Sequence, residues 1–193
     1  ALGATLILQQ GRLERRLPIE DFFLDYGKQD RKPGEFLKAI EIPLSQNPER
    51  LKCFKITKRF DQDISAICGC FDIAVVDGVV AQARIAFGGM AAIPKRAFAV
   101  EAALNGKPWT AETIEGAVAS FDTDYKPIKD MRASAAYRID VAKNLLRKYH
   151  VESKTGLDET RLVGRGAAIA GTRTDSSIVA AKEPSGGITG GVH

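Results

Sequence analysis

The residues best suited to chemistry lie in one charged stretch between two apolar segments. This stretch contains Lys58, Arg59, Phe60, Asp61 and Asp63. Charge this dense between two core-forming segments is typical of a surface loop held by a rigid scaffold, where binding residues concentrate. An aromatic ring among such charges often packs over a ligand or a partner surface. We therefore expect residues 57–63 to form a loop that contacts a ligand.

Lys55 stands just before this loop, between the apolar residues Phe54 and Ile56. An inward-facing ammonium there would need a partner, because an unpaired buried charge is costly. It would then hold an anionic group or the electron-rich edge of a cofactor. The alternative is an ordinary exposed lysine on a strand, and the residue types alone leave both interpretations open.

The usual catalytic sets are missing from the sequence. His150 stands at the end of a predicted helix and His193 is the last residue, so both are expected on the surface, outside any triad or metal site. The sequence has neither a P-loop nor a G-x-G-x-x-G motif, and Gly88-Gly89 is better explained as a turn leaving a sheet. We therefore expect no catalytic residue and no metal ligand here.

Three cysteines, Cys53, Cys68 and Cys70, lie in apolar, strand-like segments. Their odd number argues against a disulfide framework, and free thiols are natural in a reducing cytoplasm. The C-x-C spacing puts Cys68 and Cys70 on one face of a strand, but no second Cys/His pair completes a zinc site. Buried free thiols are the expectation.

The composition is that of a folded protein. Of 193 residues, 45% are hydrophobic, which is enough for a packed core. The net charge of +4 comes from scattered cations, so nucleic acid is not an expected partner. No apolar run reaches the roughly 20 residues that span a bilayer, so no membrane is expected. The first residues have the pattern of a strand under way and lack an initiating Met, so we expect the chain to begin inside a larger polypeptide.

Upstream of the candidate loop, the pattern predicts mainly β-structure. A hairpin is expected at residues 4–19, with its turn at Gln10-Gly11. It is followed by a helical turn at 18–23, a polar loop at 26–34 and a strand at 35–43.

Downstream, the pattern predicts a β-meander followed by helices. Strands are expected at residues 51–58, 64–76 and 79–87, the last two joined by Asp77-Gly78. Helices are expected at residues 95–105, 110–121 and 134–149. This order indicates an α+β fold, an antiparallel β-meander packed against about three helices.

Composition also suggests three parts, at residues 1–46, 47–152 and 153–193. A polar connector at 45–50 marks the first boundary. The last part contains eight glycines and no Phe, Tyr or Trp, so we expect a flexible tail or linker.

A second signature, residues 132–138, opens the last predicted helix. Ser134 can cap that helix, and Tyr137 can bury its ring. Arg132 and Arg138 lie close to the same helix start, and a structural role in fixing the helix is the favoured interpretation.

Four segments in order carry a family resemblance. They are residues 4–44, FKITKRFDQDIS at 54–65, IAFGGMAAIP at 85–94 and RASAAYR at 132–138. Together they resemble the flavin domain of the molybdenum hydroxylases, most closely the xanthine dehydrogenases. Each motif is weak alone, whereas four in sequence over about residues 1–150 are specific. The resemblance implies that residues 1–46 end an FAD-binding subdomain and that 47–152 form a domain similar to the C-terminal domain of the carbon monoxide dehydrogenase flavoprotein.

The resemblance implies a multi-part oxidoreductase. In such enzymes hypoxanthine or xanthine is hydroxylated to urate at a molybdenum–pterin centre, and electrons pass through two [2Fe–2S] clusters to FAD and then to NAD+. The implied partners are the iron–sulfur domains and the molybdenum-binding domain or subunit, in a cytoplasmic enzyme that forms a dimer. This chain would supply part of the flavin and NAD+ site and would not catalyse alone.

Leu37 and Lys55 match the family positions that contact the flavin. The resemblance implies that Leu37 packs on the ring and that Lys55 stabilises negative charge on the reduced cofactor. Residues Arg59, Phe60, Asp61 and Asp63 would then shape the approach of NAD+ or oxygen.

Two other functions stay open. The glycine-rich segments that grip the FAD pyrophosphate in this family are absent from the sequence, as are the cysteine-rich iron–sulfur domains and the molybdenum domain. The chain could instead belong to an aldehyde or carbon monoxide dehydrogenase flavoprotein, or be a non-catalytic interaction module. Bound flavin in the complete protein would separate the enzymes from the module.

Overall fold

The computed structural model describes residues 1–44, 47–59 and 62–155. The strands in these ranges are β1 (Thr5–Gln10), β2 (Leu13–Pro18), β3 (Phe23–Asp25), β4 (Lys28–Gln29), β5 (Phe36–Glu41), β6 (Leu51–Ile56), β7 (Ile67–Val76), β8 (Val79–Gly88) and β9 (Lys95–Arg96). The helices are α1 (Ile19–Phe22), α2 (Phe98–Leu104), α3 (Ala111–Val118), α4 (Phe121–Asp124) and α5 (Ala135–Thr155). The predicted α+β class is confirmed, because the helices follow an antiparallel meander.

Three antiparallel sheets organise the strands, in the orders β2-β1-β5, β3-β4 and β6-β7-β8-β9. The predicted N-terminal hairpin is confirmed, with its turn one residue later, at Gly11-Arg12. The turn at Asp77-Gly78 is confirmed as well. Both of its residues have left-handed φ angles, 50° and 76°, as a tight two-residue hairpin turn requires.

The main core lies between one face of the β6–β9 sheet and helices α2 to α5. Aromatic rings fill it: the centroid of Phe71 lies 5.5 Å from those of Phe87 and Tyr149, and Phe87 lies 5.7 Å from Phe121. The buried residues Leu6, Leu8 and Phe22 form a smaller core at the N-terminal sheet. Large buried rings supply much of the apolar area that holds such layers together.

A chain of ion pairs joins the N-terminal segment to the meander. Arg84 donates from Nε to the Ala1 carbonyl at 2.7 Å and pairs with Glu20. Arg96 lies 3.6 Å from the same Glu20 carboxylate and also binds Glu101. Glu101 is buried and accepts the Ile85 amide at 2.7 Å, so its charge has partners on two elements.

Several predicted boundaries differ from the structure. The predicted helix at 95–105 begins only at Phe98, because Lys95 and Arg96 pair with β8 as a short strand. The predicted strand at 64–76 begins only at Ile67, and the polar loop at 26–34 contains the short strand β4. At Lys95 and Arg96, pairing with the distant strand β8 overrides the local helical pattern.

The last helix is longer than predicted. Ser134 accepts the Tyr137 amide at 3.1 Å, so the predicted cap is confirmed, but the helix runs on to Thr155. Its last turn is tied to the core because the Trp109 indole donates to Ser153 Oγ at 2.9 Å. Residues 153–155 of the predicted tail are therefore helical, while 156–193 lie outside the described residues. The expected burial of Tyr137 is wrong, since its side chain is exposed.

Candidate functional site

Strand β6 presents two different faces. Phe54 and Ile56 pack against the main core, whereas Cys53 and Lys55 alternate with them and are exposed. Lys55 lies directly opposite Cys68 of β7. The lysine therefore stands on the sheet face that points away from the helices.

The Lys55 ammonium makes no hydrogen bond or ion pair with any described residue. The structure thus places it as an exposed strand lysine, and its charge needs no internal partner. An ammonium in this position is free to meet an anionic or electron-rich group that approaches the open sheet face. A flavin contact for Lys55 stays a prediction.

The loop after β6 is organised by Asp63. Its Oδ2 accepts the backbone amides of Lys58 at 3.1 Å and Arg59 at 2.9 Å, and Oδ1 lies 3.4 Å from the Arg59 guanidinium. The hydrogen bond from the Arg59 amide is the main cause that lowers the pKa of Asp63 below its ordinary value. Asp63 therefore stabilises the backbone conformation of the loop. Phe60 and Asp61, two of the predicted access residues, lie outside the described residues.

The same loop is tied to the segment that precedes α5. Lys58 Nζ donates to the Met131 carbonyl at 2.5 Å. Arg138, buried at the start of α5, donates to the Ala66 carbonyl at the end of the loop and to the Gly89 carbonyl at 2.8 Å. Both ends of the loop are thus anchored to the region of the second sequence signature, and the structural role favoured for Arg138 fits these contacts.

Asp130, whose role was not predicted from the sequence, completes this anchor. Its Oδ1 accepts the amides of Arg132 at 2.8 Å and Ala133 at 3.2 Å, and it binds Arg138 Nη2 at 2.7 Å. The Arg132 amide is the main cause that lowers the pKa of Asp130 to about 2. An Asp whose carboxylate accepts the amide two residues later is a common turn device, so its place just before the signature was an available signal.

An open cleft of about 490 Å³ lies between this loop and the 131–132 segment. Its walls include Lys58, Arg59, Asp63 and Arg132. Arg59 pairs with Asp63 and Arg132 pairs with Asp130, so the described residues leave the cleft with a small excess of positive charge, which suits an anionic ligand.

Leu37 lies on β5, the edge strand of the N-terminal sheet, opposite Leu8. Its side chain is 44% exposed, and the neighbouring Phe36 and Ile40 are exposed too. No hydrogen bond, ion pair or ring contact between described residues links β5 to Lys55. The structure therefore leaves Leu37 and Lys55 on separate sheets, each accessible to a ligand.

Elsewhere, two expectations are corrected. His150 is buried, with its ring 5.0 Å from that of Trp109, because it faces the core side of α5; burial lowers the pKa of this imidazole. Cys53 is exposed, since it shares the open sheet face with Lys55, whereas Cys68 and Cys70 are partly buried.

Within the described part of the chain, no three His, Cys, Asp or Glu side chains are grouped to hold a metal ion. No described helix is long and apolar enough to cross a bilayer.

The exposed residues fit a flavin in chemical terms. An isoalloxazine ring has flat apolar faces and a polar edge that gains negative charge on reduction. The unpaired Lys55 ammonium suits that edge, and the exposed Leu37 side chain suits a ring face. Both side chains can contact a flavin, because no hydrogen bond, ion pair or ring contact with another described residue engages them.

Acid should unfold the protein partly through Asp130. Its folded pKa of about 2 lies below its ordinary 3.8, so its contribution to stability is present above about pH 4 and is lost as the pH falls towards 2. We expect Asp130→Asn to lower the melting temperature at pH 7 and the difference from wild type to shrink between pH 5 and pH 2. Asp140→Asn, on the exposed side of α5, is the control. A pH-independent difference for Asp130→Asn would contradict the assignment.

Two adjoining segments of the chain match known protein families. Residues 52–153 match the CO dehydrogenase flavoprotein C-terminal domain, and residues 1–45 match the FAD binding domain in molybdopterin dehydrogenase. The first match covers more than half of the chain.

Individual relatives are much longer than this chain. Xanthine dehydrogenase of Oryza sativa subsp. japonica is 35% identical over 114 residues, which are 56% of this chain and 8% of the relative. Nicotinate hydroxylase of Emericella nidulans is 28% identical over 92% of this chain and 14% of its own length. Among solved structures, carbon monoxide dehydrogenase from Hydrogenophaga pseudoflava superposes with a TM-score of 0.71 at 25% identity, over 77% of this chain and 51% of the matched chain.

Proposed function

Because the chain belongs to the family of the CO dehydrogenase flavoprotein C-terminal domain, we propose that it forms one wall of the flavin site of a xanthine dehydrogenase-type molybdenum hydroxylase. One observation carries the proposal. Among the described residues the Lys55 ammonium has no hydrogen-bond or ion-pair partner, and it lies on the sheet face away from the helices, beside a loop that is anchored at both ends. This arrangement lies in a chain whose first 45 residues match an FAD binding domain.

Lys55 and Leu37 have different tasks in this proposal. A bound flavin supplies the redox chemistry, accepting electrons from one partner and passing them to another. Lys55 stabilises negative charge at the polar edge of the ring, and Leu37 packs on its face. Both groups bind and orient the cofactor, and no residue of this chain breaks a bond in the substrate.

The loop that follows β6 controls access in this proposal. Arg59 and Asp63 hold its backbone in place, and the cleft beside them carries three cations that suit the phosphates of NAD+. Phe60 and Asp61 complete the predicted access loop. The charges and the ring of this loop would control the approach of NAD+ or oxygen to the flavin.

The complete enzyme would oxidise a purine. We infer hypoxanthine or xanthine as substrate, a molybdenum–pterin centre and two [2Fe–2S] clusters on partner domains or subunits, and a dimeric, cytoplasmic assembly. The identity to the rice xanthine dehydrogenase supports this choice. A second candidate is a molybdenum hydroxylase for another substrate, because a nicotinate hydroxylase matches a larger share of the chain.

Replacing Lys55 with alanine tests the proposal. In the complete enzyme we expect FAD to be retained about tenfold less tightly or NAD+ to be reduced about tenfold more slowly, the size of effect typical of one lost charged hydrogen bond. Flavin content by absorbance and NADH formation measure the two effects.

Two variants make the result specific. Lys55→Arg keeps the positive charge and should restore much of the flavin retention. Lys28→Ala removes an exposed lysine from β4, a different sheet, and should leave both readouts unchanged. Unchanged flavin content together with unchanged NADH formation in Lys55→Ala would rule out the proposed role.

A further inference from the structure

The open face of the β6–β9 sheet carries all three thiols of the chain. Cys53 of β6 lies directly opposite Cys70 of β7 in the antiparallel register. Cys68 stands two residues before Cys70, on the same face, opposite Lys55. Three thiols on one sheet face, one exposed and two partly buried, are a feature that the flavin proposal does not use.

The register favours one pair over the other two. Cβ atoms of directly opposite residues are about 4.5–5.5 Å apart, close to the roughly 3.5–4.5 Å that a disulfide needs. Diagonal neighbours such as Cys53 and Cys68 are about 7–8 Å apart, and residues two apart on one strand are separated by about 6.6 Å. Cys53 lies close enough to Cys70 to help raise the pKa of the Cys70 thiol.

The two paired thiols differ in their access to solvent. Cys53 is exposed, so reagents in solution can reach it. Cys70 is partly buried; burial first, and then the neighbouring Cys53, raise its pKa to about 12. Cys53 is therefore the thiol that reacts first, and Cys70 follows.

We propose that Cys53 and Cys70 form a cross-strand dithiol that a low-molecular-weight disulfide oxidises to an intramolecular disulfide. In the first step the Cys53 thiolate attacks one sulfur of the small disulfide, forms a mixed disulfide and releases one small thiolate. In the second, Cys70 loses its proton to water and its thiolate attacks Cys53 Sγ, which releases the second small thiolate. The protein loses two protons and two electrons, and the small disulfide gains the two electrons.

The new bond would close a loop that contains Lys55 and the access residues that follow it. The segment between Cys53 and Cys70 carries Lys55 and residues 57–63, so the disulfide would join both of its ends. Cross-linking restricts the unfolded chain, so oxidation should raise the melting temperature. The dithiol is independent of the flavin proposal, because its reaction needs no cofactor.

Peptide mapping after treatment with oxidised glutathione at pH 8 tests the pair. Trypsin cuts after Lys52 and Lys55, which leaves Cys53 on a tripeptide, whereas Cys68 and Cys70 share the peptide 60–84. We expect the full polypeptide to yield these two peptides joined by a disulfide, with 2 Da lost. We also expect the linkage to form faster as the pH rises, because more Cys70 is then deprotonated.

Matched serine variants assign the bond. Cys68→Ser should form the linked peptides as fast as wild type, whereas Cys53→Ser and Cys70→Ser should not form them at all. Reduction with dithiothreitol should return wild type to its original melting temperature. A lasting glutathione adduct on Cys53, a bond from Cys53 to Cys68, or a cross-link between two chains would each overturn the proposal.

Discussion

Replacing Arg138 with methionine is expected to lower the free energy of unfolding by about 3–5 kcal/mol, the usual cost of removing one partner from a buried ion pair. The Arg138 side chain is only 3% exposed, and it is the common partner of Asp130 and of the Ala66 and Gly89 carbonyls. Methionine fills similar space without a donor, so three acceptors lose their bond. Urea unfolding of wild type and variant measures the loss.

The same variant should also loosen the candidate loop. Amide hydrogen exchange at residues 57–66 should accelerate more than exchange in β8, because Arg138 binds the end of that loop directly. Arg132→Met is the matched control: Arg132 also binds Asp130, but its side chain is 35% exposed, and we expect a loss of at most about 1 kcal/mol. Equal losses for the two variants would show that burial of Arg138 is not what matters.

Gly89→Ala should be the second most damaging change near the site. Gly89 has a left-handed φ of 81°, and a Cβ atom there would lie 2.5 Å from the Ala66 carbonyl oxygen. A backbone oxygen cannot turn aside as a flexible side chain can. Backbone strain of this kind costs about 1–3 kcal/mol before the clash is added, so we expect a loss of about 2 kcal/mol or more.

The neighbouring glycine provides the control. A Cβ atom on Gly88 would meet no heavy atom within 4 Å, and its φ is not in the left-handed region. Gly88→Ala should therefore change the urea midpoint little. If the two alanine variants unfold at the same midpoint, the close approach of Gly89 to Ala66 does not limit stability.

Local signals in the sequence predicted much of this fold. The Asp77-Gly78 turn and the Ser134 cap depend on residues within four positions of one another, and both are confirmed. Thr110 accepts the Thr113 amide at the start of α3, close to the helix start predicted at residue 110. Turns and helix caps that depend on residues close in sequence can therefore be predicted from residue types and their spacing.

Long-range contacts set the features that the sequence did not predict. Lys95 and Arg96 are extended because β8 pairs with them, although their own pattern favoured a helix. His150 is buried because Trp109, from another part of the chain, packs against it. Cys53 is exposed because its side chain points to the sheet face opposite to that of its neighbour Phe54. Each outcome depends on which face of an element meets a distant partner.

The candidate site also has residues that local sequence signals predicted and residues that depend on long-range contacts. The charged loop and Lys55 were found from residue types and a family resemblance, both readable along the chain. Asp130 and the Arg138 contact to Ala66 were not, since that contact joins residues 72 positions apart. The sequence could therefore point to the loop but not to the side chains that hold it.

The position of β6 in the sequence has a consequence for how the protein is made. Tyr149 donates to the Arg50 carbonyl across 99 positions, and Lys52 pairs with Glu152 across 100. Contacts so distant along the chain form slowly, and domains emerge from the ribosome N-terminal end first. At about 5–20 residues per second, β6 waits about 5–20 s for the helix that covers its apolar face. The strand that carries Lys55 is thus synthesised early but gains its full support only when α5 has been made.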